Sequence, residues 1–305
     1  MERIEEMIGP RTRAILAPNL IGNAPDWDRI RAIADAHDLR VIEDSCDALG
    51  LTLRGTPTGE RADISLTSFA LSHIITAAGT GGMVCFDDDA LADRALLLRR
   101  WGRRSEVQLF GSTKGVERRF FSAIEDDPAS GGGDLEYDNL FIFDEVGWNF
   151  EPSELSGVRS RAARQAGPQP GASPAQLRTH RAHFARHEDL FVLPRLTEGV
   201  ETGWHMFPVI IRPDSGIRRA GFQQWMESHG IDTRMVWTGN AARQPAFRDE
   251  PHRTPADGLP NADRVMEWGV VLPNNHSMSD DDSAWIGECL EGFLAETARS
   301  TRGRP

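Results

Sequence analysis

The sequence predicts an α/β protein, with a mostly parallel, helix-covered sheet in its first half and a smaller α+β unit in its last third. Three observations predict it. Apolar runs of strand length alternate with helix-period segments from residue 13 to residue 101. The second of those runs ends on an acidic residue, at the strand end where open α/β sheets bind ligands. After a Pro/Gly-broken stretch at 166–174, strands and helices return in a different order, and no internal repeat is visible.

Residues 13–18 (RAILAP) read as a short buried strand and 25–38 (PDWDRIRAIADAHD) as a helix. Pro25 suits the first helical turn, and Asp26 and Asp28 complement the positive end of the helix dipole. Trp27, Ile30, Ile33 and Ala34 form one apolar stripe at helical spacing. Residues 40–43 (RVIE) are the next strand, ending at Asp44, and a strand–helix–strand run of this length implies parallel pairing. Two further strands are expected at 63–69 (DISLTSF) and 82–86 (GMVCF), joined by a loop rich in Thr, Ala and Gly. A helix follows at 89–101.

Residues 103–145 break the pattern with many charges and the run Gly131, Gly132, Gly133, so an inserted, partly irregular excursion is expected there. A helix over 151–165, a linker at 166–174 and a basic helix over 175–190 come next. The last third reads as strand 205–212, helix 216–229, strand 231–237, helix 261–268, strand 269–272 and a final helix at 279–296. The expected organisation is a larger unit over 1–155, a connecting segment over 156–190 and a small C-terminal α+β unit over 191–305.

Composition removes several function classes. The chain carries a formal net charge of -12, which disfavours nucleic acid and anionic membrane surfaces as partners. No run reaches membrane-spanning length. The three cysteines, Cys46, Cys85 and Cys289, are far apart and form no CxxC pair. A cysteine-built metal or iron–sulfur site is therefore not expected, nor a disulfide framework, and no metal ligand set is assigned. A cytoplasmic location is expected.

Two segments carry chemistry. In VIEDSCDALG (41–50), Asp44 stands just past an apolar strand, where it can act as counter-ion to a protonated ring nitrogen or as an ordinary turn or capping residue. In SLTSFALSHIITAAGTGGMV (65–84), Ser68 ends a strand and His73 follows five residues on. Gly79, Gly81 and Gly82 precede the next strand. Hydroxyls and loop amides of this kind can hold a phosphate, and an ordinary connection with a structural histidine has the same wording.

Together these segments resemble the DegT/DnrJ/EryC1/StrS family of pyridoxal-phosphate enzymes acting on nucleotide-linked keto-sugars. The family pattern is a strand followed by E-D-x-x-x-A-x-G, then Ser-Phe-x-x-x-Lys and a Gly-Gly before the next strand. The resemblance implies the pyridoxal-phosphate fold type I, aspartate aminotransferase-like, for the large unit. It matches Asp44 to the carboxylate that pairs with the pyridine nitrogen and Ser68 to a phosphate contact. His73 falls where the family lysine would bond covalently to the cofactor, which imidazole cannot do stably. That substitution resembles the 3-dehydratase branch, whose members hold pyridoxal or pyridoxamine 5'-phosphate non-covalently and remove the 3-hydroxyl of an NDP-4-keto-6-deoxyhexose. Asp47 stands where ordinary family aminotransferases have Gln or His, and is placed with the cofactor contacts. Asn149, in GWNFEPSE, matches an asparagine that reaches the phosphate of the neighbouring subunit in family homodimers. DTRMVWTGNAARQPAF (232–247) resembles the branch's T-R-x-x-x-x-G-N-x-x-R-x-P segment, making Asn240 and Arg243 candidates for substrate binding.

The resemblance implies His73 as acid/base, glutamate as amino donor, and no iron–sulfur cluster, since residues 101–145 hold no cysteine. It also implies that the family's first strand and helix, a further phosphate contact and a ring-stacking aromatic would lie ahead of Met1, so an N-terminally truncated large domain is expected. Residues 157–174 depart from the family's long apolar helix. Two other functions stand beside dehydration: a sugar aminotransferase, and a catalytically inactive paralogue or regulatory partner.

Overall fold

The computed structural model describes residues 2–70, 73–76, 80–115, 121–127, 129, 133–153, 174–275 and 277–302. Helix α1 (Glu2–Met7) leads into strand β1 (Ala14–Pro18) and a single 3-10 turn at Leu20–Gly22. Helix α2 (Trp27–Ala36) starts two residues later than the expected start at Pro25. Asp26 is its cap, accepting from the Arg29 N–H, and Pro25 lies outside it. Trp27, Ile30 and Ala34 are its buried face, as the stripe implied. Strand β2 (Arg40–Asp44) follows, then the two-residue strands β3 (Thr52–Leu53) and β4 (Thr56–Pro57). Strands β5 (Ile64–Ser68) and β6 (Gly82–Phe86) complete a four-stranded sheet of order β1-β2-β5-β6. β1, β2 and β5 run parallel and β6 antiparallel, with Leu16 opposite Ile42 and Asp44 opposite Leu66. Val41, Leu51 and Leu53 close over α2, each no more than 1% exposed. Burying side chains of that size contributes on the order of 2 kcal/mol apiece.

Helix α3 (Asp89–Arg99) is capped by Asp88. The excursion after it is more regular than its sequence suggested. It holds helix α4 (Ser105–Phe110) and an antiparallel ribbon of β7 (Phe121–Asp127) with β8 (Gly133–Asp138). Fully buried Glu106 anchors α4, accepting from Arg99 at 2.8 Å and Arg100 at 3.1 Å. The helix expected over 151–165 and the linker at 166–174 fall mostly outside the described residues.

Helix α5 (Pro174–Ala185) and strands β9 (Phe191–Val192) and β10 (Val200–Glu201) open the last third, β10 reaching back to pair with β3. Strand β11 (Met206–Ile211), helix α6 (Arg219–Ser228), helix α7 (Pro260–Trp268), strand β12 (Gly269–Pro273) and helix α8 (Asp280–Arg302) follow. β12, β11 and β9 form an antiparallel sheet, against which Phe184, Phe191, Phe207, Phe222 and Met226 are wholly buried. The strand expected at 231–237 does not form. Only Arg234 bridges to Val271, because Trp237 takes a left-handed φ of 44° and its N–H closes onto the Met235 carbonyl at 2.9 Å. Among the described residues, no helix is long and apolar enough to cross a membrane.

Candidate active site

The C-terminal ends of β1 and β2 open on a hollow of about 430 Å³, lined by Asn19, Asp44, Cys46, Asp47, His73 and Trp237 among others. Its floor is a buried polar network. Glu43, 1% exposed, accepts from Asn19 Nδ2 at 2.8 Å and Ser45 Oγ at 2.7 Å through Oε1, and from the Gly59 N–H at 2.9 Å through Oε2. Asn19 Oδ1 accepts from Trp27 Nε1 at 2.8 Å, and the Asn19 N–H donates to the Asp44 carbonyl at 2.8 Å. A buried network with each carboxylate oxygen satisfied holds the two strand ends rigidly.

Asp44 is half-buried, and its Oδ1 accepts from the Cys46 N–H at 3.0 Å. Burial, then a hydrogen bond to Asp44, push the Cys46 thiol up to about 12, so it stays a neutral donor to that carboxylate. Asp47 is 5% exposed. Its Oδ2 accepts from the Ile21 N–H at 3.1 Å and Trp237 Nε1 at 2.9 Å. Both donors belong to residues with left-handed backbone, Ile21 at φ 60° and Trp237 at φ 44°. Non-glycine residues hold that conformation only where the surroundings compensate the strain. The other oxygen, Oδ1, lies 3.9 Å from His73 Nε2, too far for a hydrogen bond. His73 Nδ1 is buried without a hydrogen-bond partner among the described residues. His73 thus lines the hollow with Nε2 toward a carboxylate, an arrangement that suits general acid/base work.

The hollow thus brings together Asp44, Asp47 and His73. Ser68 leaves the sheet on the same face as Asp44, two residues past its partner Leu66, and its Oγ accepts from the Ala70 N–H at 3.1 Å; it is not among the lining residues. Gly79 lies outside the described residues. Asn149 is exposed on a bridge to Arg100, away from the hollow's lining. Asn240 is buried, donating to Asp263 Oδ1 at 2.9 Å and accepting from the Ala242 N–H. Arg243 is engaged by Asp263 at 2.9 Å and Glu267 at 2.8 Å. Sequence reading missed Asn19 and Trp237. Asn19 was findable, since it stands one residue past the end of a parallel strand; Trp237 had no such signal.

A family model described as the DegT/DnrJ/EryC1/StrS aminotransferase family matches residues 1–123 and 175–291. The chain belongs to that family. It is 32% identical over 302 residues to dTDP-4-dehydro-2,6-dideoxy-D-glucose 3-dehydratase of Saccharopolyspora spinosa, an alignment covering 97% of this chain and 62% of that protein. The chain therefore spans about three fifths of that relative's length. The solved structure of E. coli GDP-4-keto-6-deoxy-D-mannose-3-dehydratase with bound hydrated PLP superposes with a TM-score of 0.76 at 24% identity, covering 95% of this chain and 70% of that one. A structure of GDP-4-keto-6-deoxymannose-3-dehydratase with a trapped PLP-glutamate geminal diamine gives 0.79, also at 24% identity, covering 95% and 70%. At that identity the likeness establishes the shared pyridoxal-phosphate-enzyme fold.

The DegT-family residues present here fit a pyridine-ring cofactor. A carboxylate stands at the strand end of an adequate hollow, a strand-end hydroxyl lies on the same sheet face, and a histidine nitrogen without a partner adjoins it. Lysine is nearly absent from the chain: Lys114 is the single one in 305 residues. It is exposed after α4 and is not among the residues lining the hollow.

Proposed function

We propose that this chain binds pyridoxal or pyridoxamine 5'-phosphate without a covalent tether and dehydrates C3 of a nucleotide-linked 4-keto-6-deoxyhexose. The observation that carries the reading is His73 beside Asp47 in the hollow that holds Asp44, in a chain whose single lysine is not part of that hollow. When bound, the cofactor supplies an electron sink for the sugar carbons it engages. Asp44 holds the ring nitrogen protonated through its carboxylate. Ser68 anchors the phosphate with its hydroxyl, and Asn149 does so across a homodimer. His73 takes a proton at the cofactor's C4′ carbon and assists departure of the 3-hydroxyl. Asp47 stands 3.9 Å from Nε2 of that imidazole and supplies the negative charge beside it. Asn240 and Arg243 serve the nucleotide end of the substrate once Arg243 exchanges its carboxylate partners for a diphosphate.

L-glutamate regenerates the amine form, with no iron–sulfur cluster taking part, in a cytoplasmic enzyme. Transamination as the main activity is disfavoured, because imidazole cannot replace a lysine amine. Purified chain mixed with either cofactor form and desalted tests the reading. A retained chromophore that borohydride does not fix to protein is expected. Borohydride-stable labelling would place the cofactor on Lys114 and overturn the non-covalent assignment. No retention in either form would overturn the enzyme reading and favour an inactive paralogue.

A further inference from the structure

A second imidazole stands close to His73. The His205 ring has its centroid 6.5 Å from that of His73, tilted by 48°, and meets the Trp237 indole edge-on at 6.0 Å. Both histidines line a hollow of about 360 Å³ that has His73 in common with the first. His205 is half-buried just ahead of β11, and its backbone is pinned. Its N–H donates to the Ile21 carbonyl at 3.2 Å. A Cβ on Gly22, where φ is 90°, would stand 3.2 Å from that same nitrogen, so glycine permits the approach. The two residues that fix His205, Ile21 and Trp237, are also the two that donate to Asp47 Oδ2. Asp47 Oδ1 then faces His73. One short circuit of contacts therefore sets both imidazoles about a single carboxylate. Of the other charged or titratable groups nearby, Asp232 and Arg234 line the second hollow and offset each other in sign, while Asp44 and the neutral Cys46 thiol line the first.

We infer that His205 is a second acid/base residue of the dehydration proposed above, and that the two imidazoles divide its proton transfers. Loss of water asks for one proton from carbon and one to oxygen, and imidazole serves either way. His73 takes the proton from the cofactor's C4′ carbon. His205, protonated at the outset, gives its proton to the departing 3-hydroxyl. The C–H and C3–O bonds break, an electron pair passes from the first to the second through the cofactor, and water leaves with the His205 proton. His73 ends protonated and His205 neutral, so the pair carries one proton before and after the step. Return of that proton across the shared hollow resets it. Two positive imidazoles at this distance would repel, and Asp47 neutralises one charge in either state. The inference rests on the dehydration reading and is tested so that the two can fail separately.

His205→Gln, assayed with GDP- and dTDP-linked 4-keto-6-deoxyhexoses, should lower dehydration by about 10²-fold or more, the usual worth of a general acid. Exchange of the cofactor's C4′ hydrogens with D2O, read by mass spectrometry, should persist in His205→Gln and vanish in His73→Gln. A 3-fluoro analogue of the sugar, whose fluoride leaves without a proton, should react in His205→Gln at the parent rate. Dehydration at the parent rate in His205→Gln overturns the inference. So does equal loss of exchange and of both leaving groups, because His205 would then act only by holding the fold. The cofactor-free chain gives a further readout. In an NMR titration of its histidine rings, His205→Gln should move the His73 transition to higher pH, because a positive neighbour is gone. An unmoved transition overturns the shared proton. A parent chain that retains no cofactor sinks the functional reading and the step with it, a failure distinct from all of these, in which the parent is active or no cofactor is needed.

Discussion

Around Asp44 the protein buries charge and amides; around Phe207 it buries aromatic rings. Beneath the first hollow, Glu43, Asn19, Ser45 and Trp27 exchange hydrogen bonds of 2.7 to 2.9 Å, with Glu43 almost wholly out of water. In the C-terminal unit, Phe184 meets Phe191 edge-on at 5.1 Å and Phe207 at 5.5 Å, with no buried carboxylate among them. Apolar packing is non-directional and stabilises wherever volume is filled. A buried hydrogen-bonded carboxylate adds little net stability but tolerates few arrangements. The contrast teaches that the sheet end is built for position, and the small unit for holding itself together while presenting Trp237 and Arg234.

The largest expected effect lies at the positioned end. With cofactor and nucleotide-sugar, His73→Lys should lower dehydration by about 10² to 10⁴, the usual worth of a general acid/base. The same variant should gain borohydride-fixable cofactor absorbance, because an amine now stands where imidazole was. Dehydration at the parent rate would remove His73 from the mechanism and leave the hollow's charged floor without a purpose.

Next comes the direct comparison of the two cores. Glu43→Ala leaves Asn19, Ser45 and the Gly59 N–H without their acceptor and should cost about 3–5 kcal/mol. Phe207→Ala should cost a similar 3–5 kcal/mol through cavity formation. Urea denaturation measures both. Cofactor affinity separates them: Glu43→Ala should lose it even at low temperature where the chain is folded, whereas Phe207→Ala should keep it. Equal loss of affinity in the two variants would mean that the polar floor has no special positioning role.

The two regions also differ in how acid weakens them. Burial pulls His180, wholly enclosed beside Phe207, down from 6.5 to about 4. The unfolded chain then binds a proton that the folded one refuses. This contribution is present above pH 6.5 and is lost as pH falls toward 4, on the order of 3 kcal/mol in full. On the sheet side burial acts against the charge of Asp63. The Val41 N–H at 2.7 Å and Arg31 at 2.8 Å outweigh it and hold the carboxyl below its ordinary 3.8. That contribution persists through pH 5 and disappears only in stronger acid. Between pH 6.5 and 4, His180→Gln should flatten the stability profile and Asp63→Asn should not; a profile unmoved by His180→Gln would refute the assignment.

The regularity of these regions decided how much of them could be read from sequence. Residues 14–18, 40–44, 64–68 and 82–86 were legible as strands because each carries an apolar run bounded by polar or glycine residues. Two-residue strands such as Phe191–Val192 carry no period at all. The turn at Trp237 overrode a stretch whose side chains favour a strand, and the ribbon at 121–138 hid among charges and glycines. In the site, Asp44, Asp47 and His73 were legible as a set because strand-end position and family wording coincide. Trp237 was not, since its indole meets Asp47 across 190 residues of sequence. Arg243 and Asn240 read as candidates for substrate binding, but their bonds to Asp263 depend on where α7 packs.

The smallest effect tests the link between the two regions. Trp237 belongs to the C-terminal side yet donates at 2.9 Å to Asp47, whose other oxygen faces His73. Trp237→Phe keeps an aromatic ring, though a smaller one, and removes that one hydrogen bond, which is worth about 1 kcal/mol. Turnover should fall roughly fivefold, the rate equivalent of that energy, with cofactor retention unchanged. Asp47→Asn removes the charge behind the imidazole and should cost more. If Trp237 acts only by holding Asp47, the double variant should be no slower than Asp47→Asn alone, because the indole then has no carboxylate left to orient. Strictly additive losses would show that Trp237 touches the reaction by another route, and that the two halves meet at the site without being coupled through Asp47.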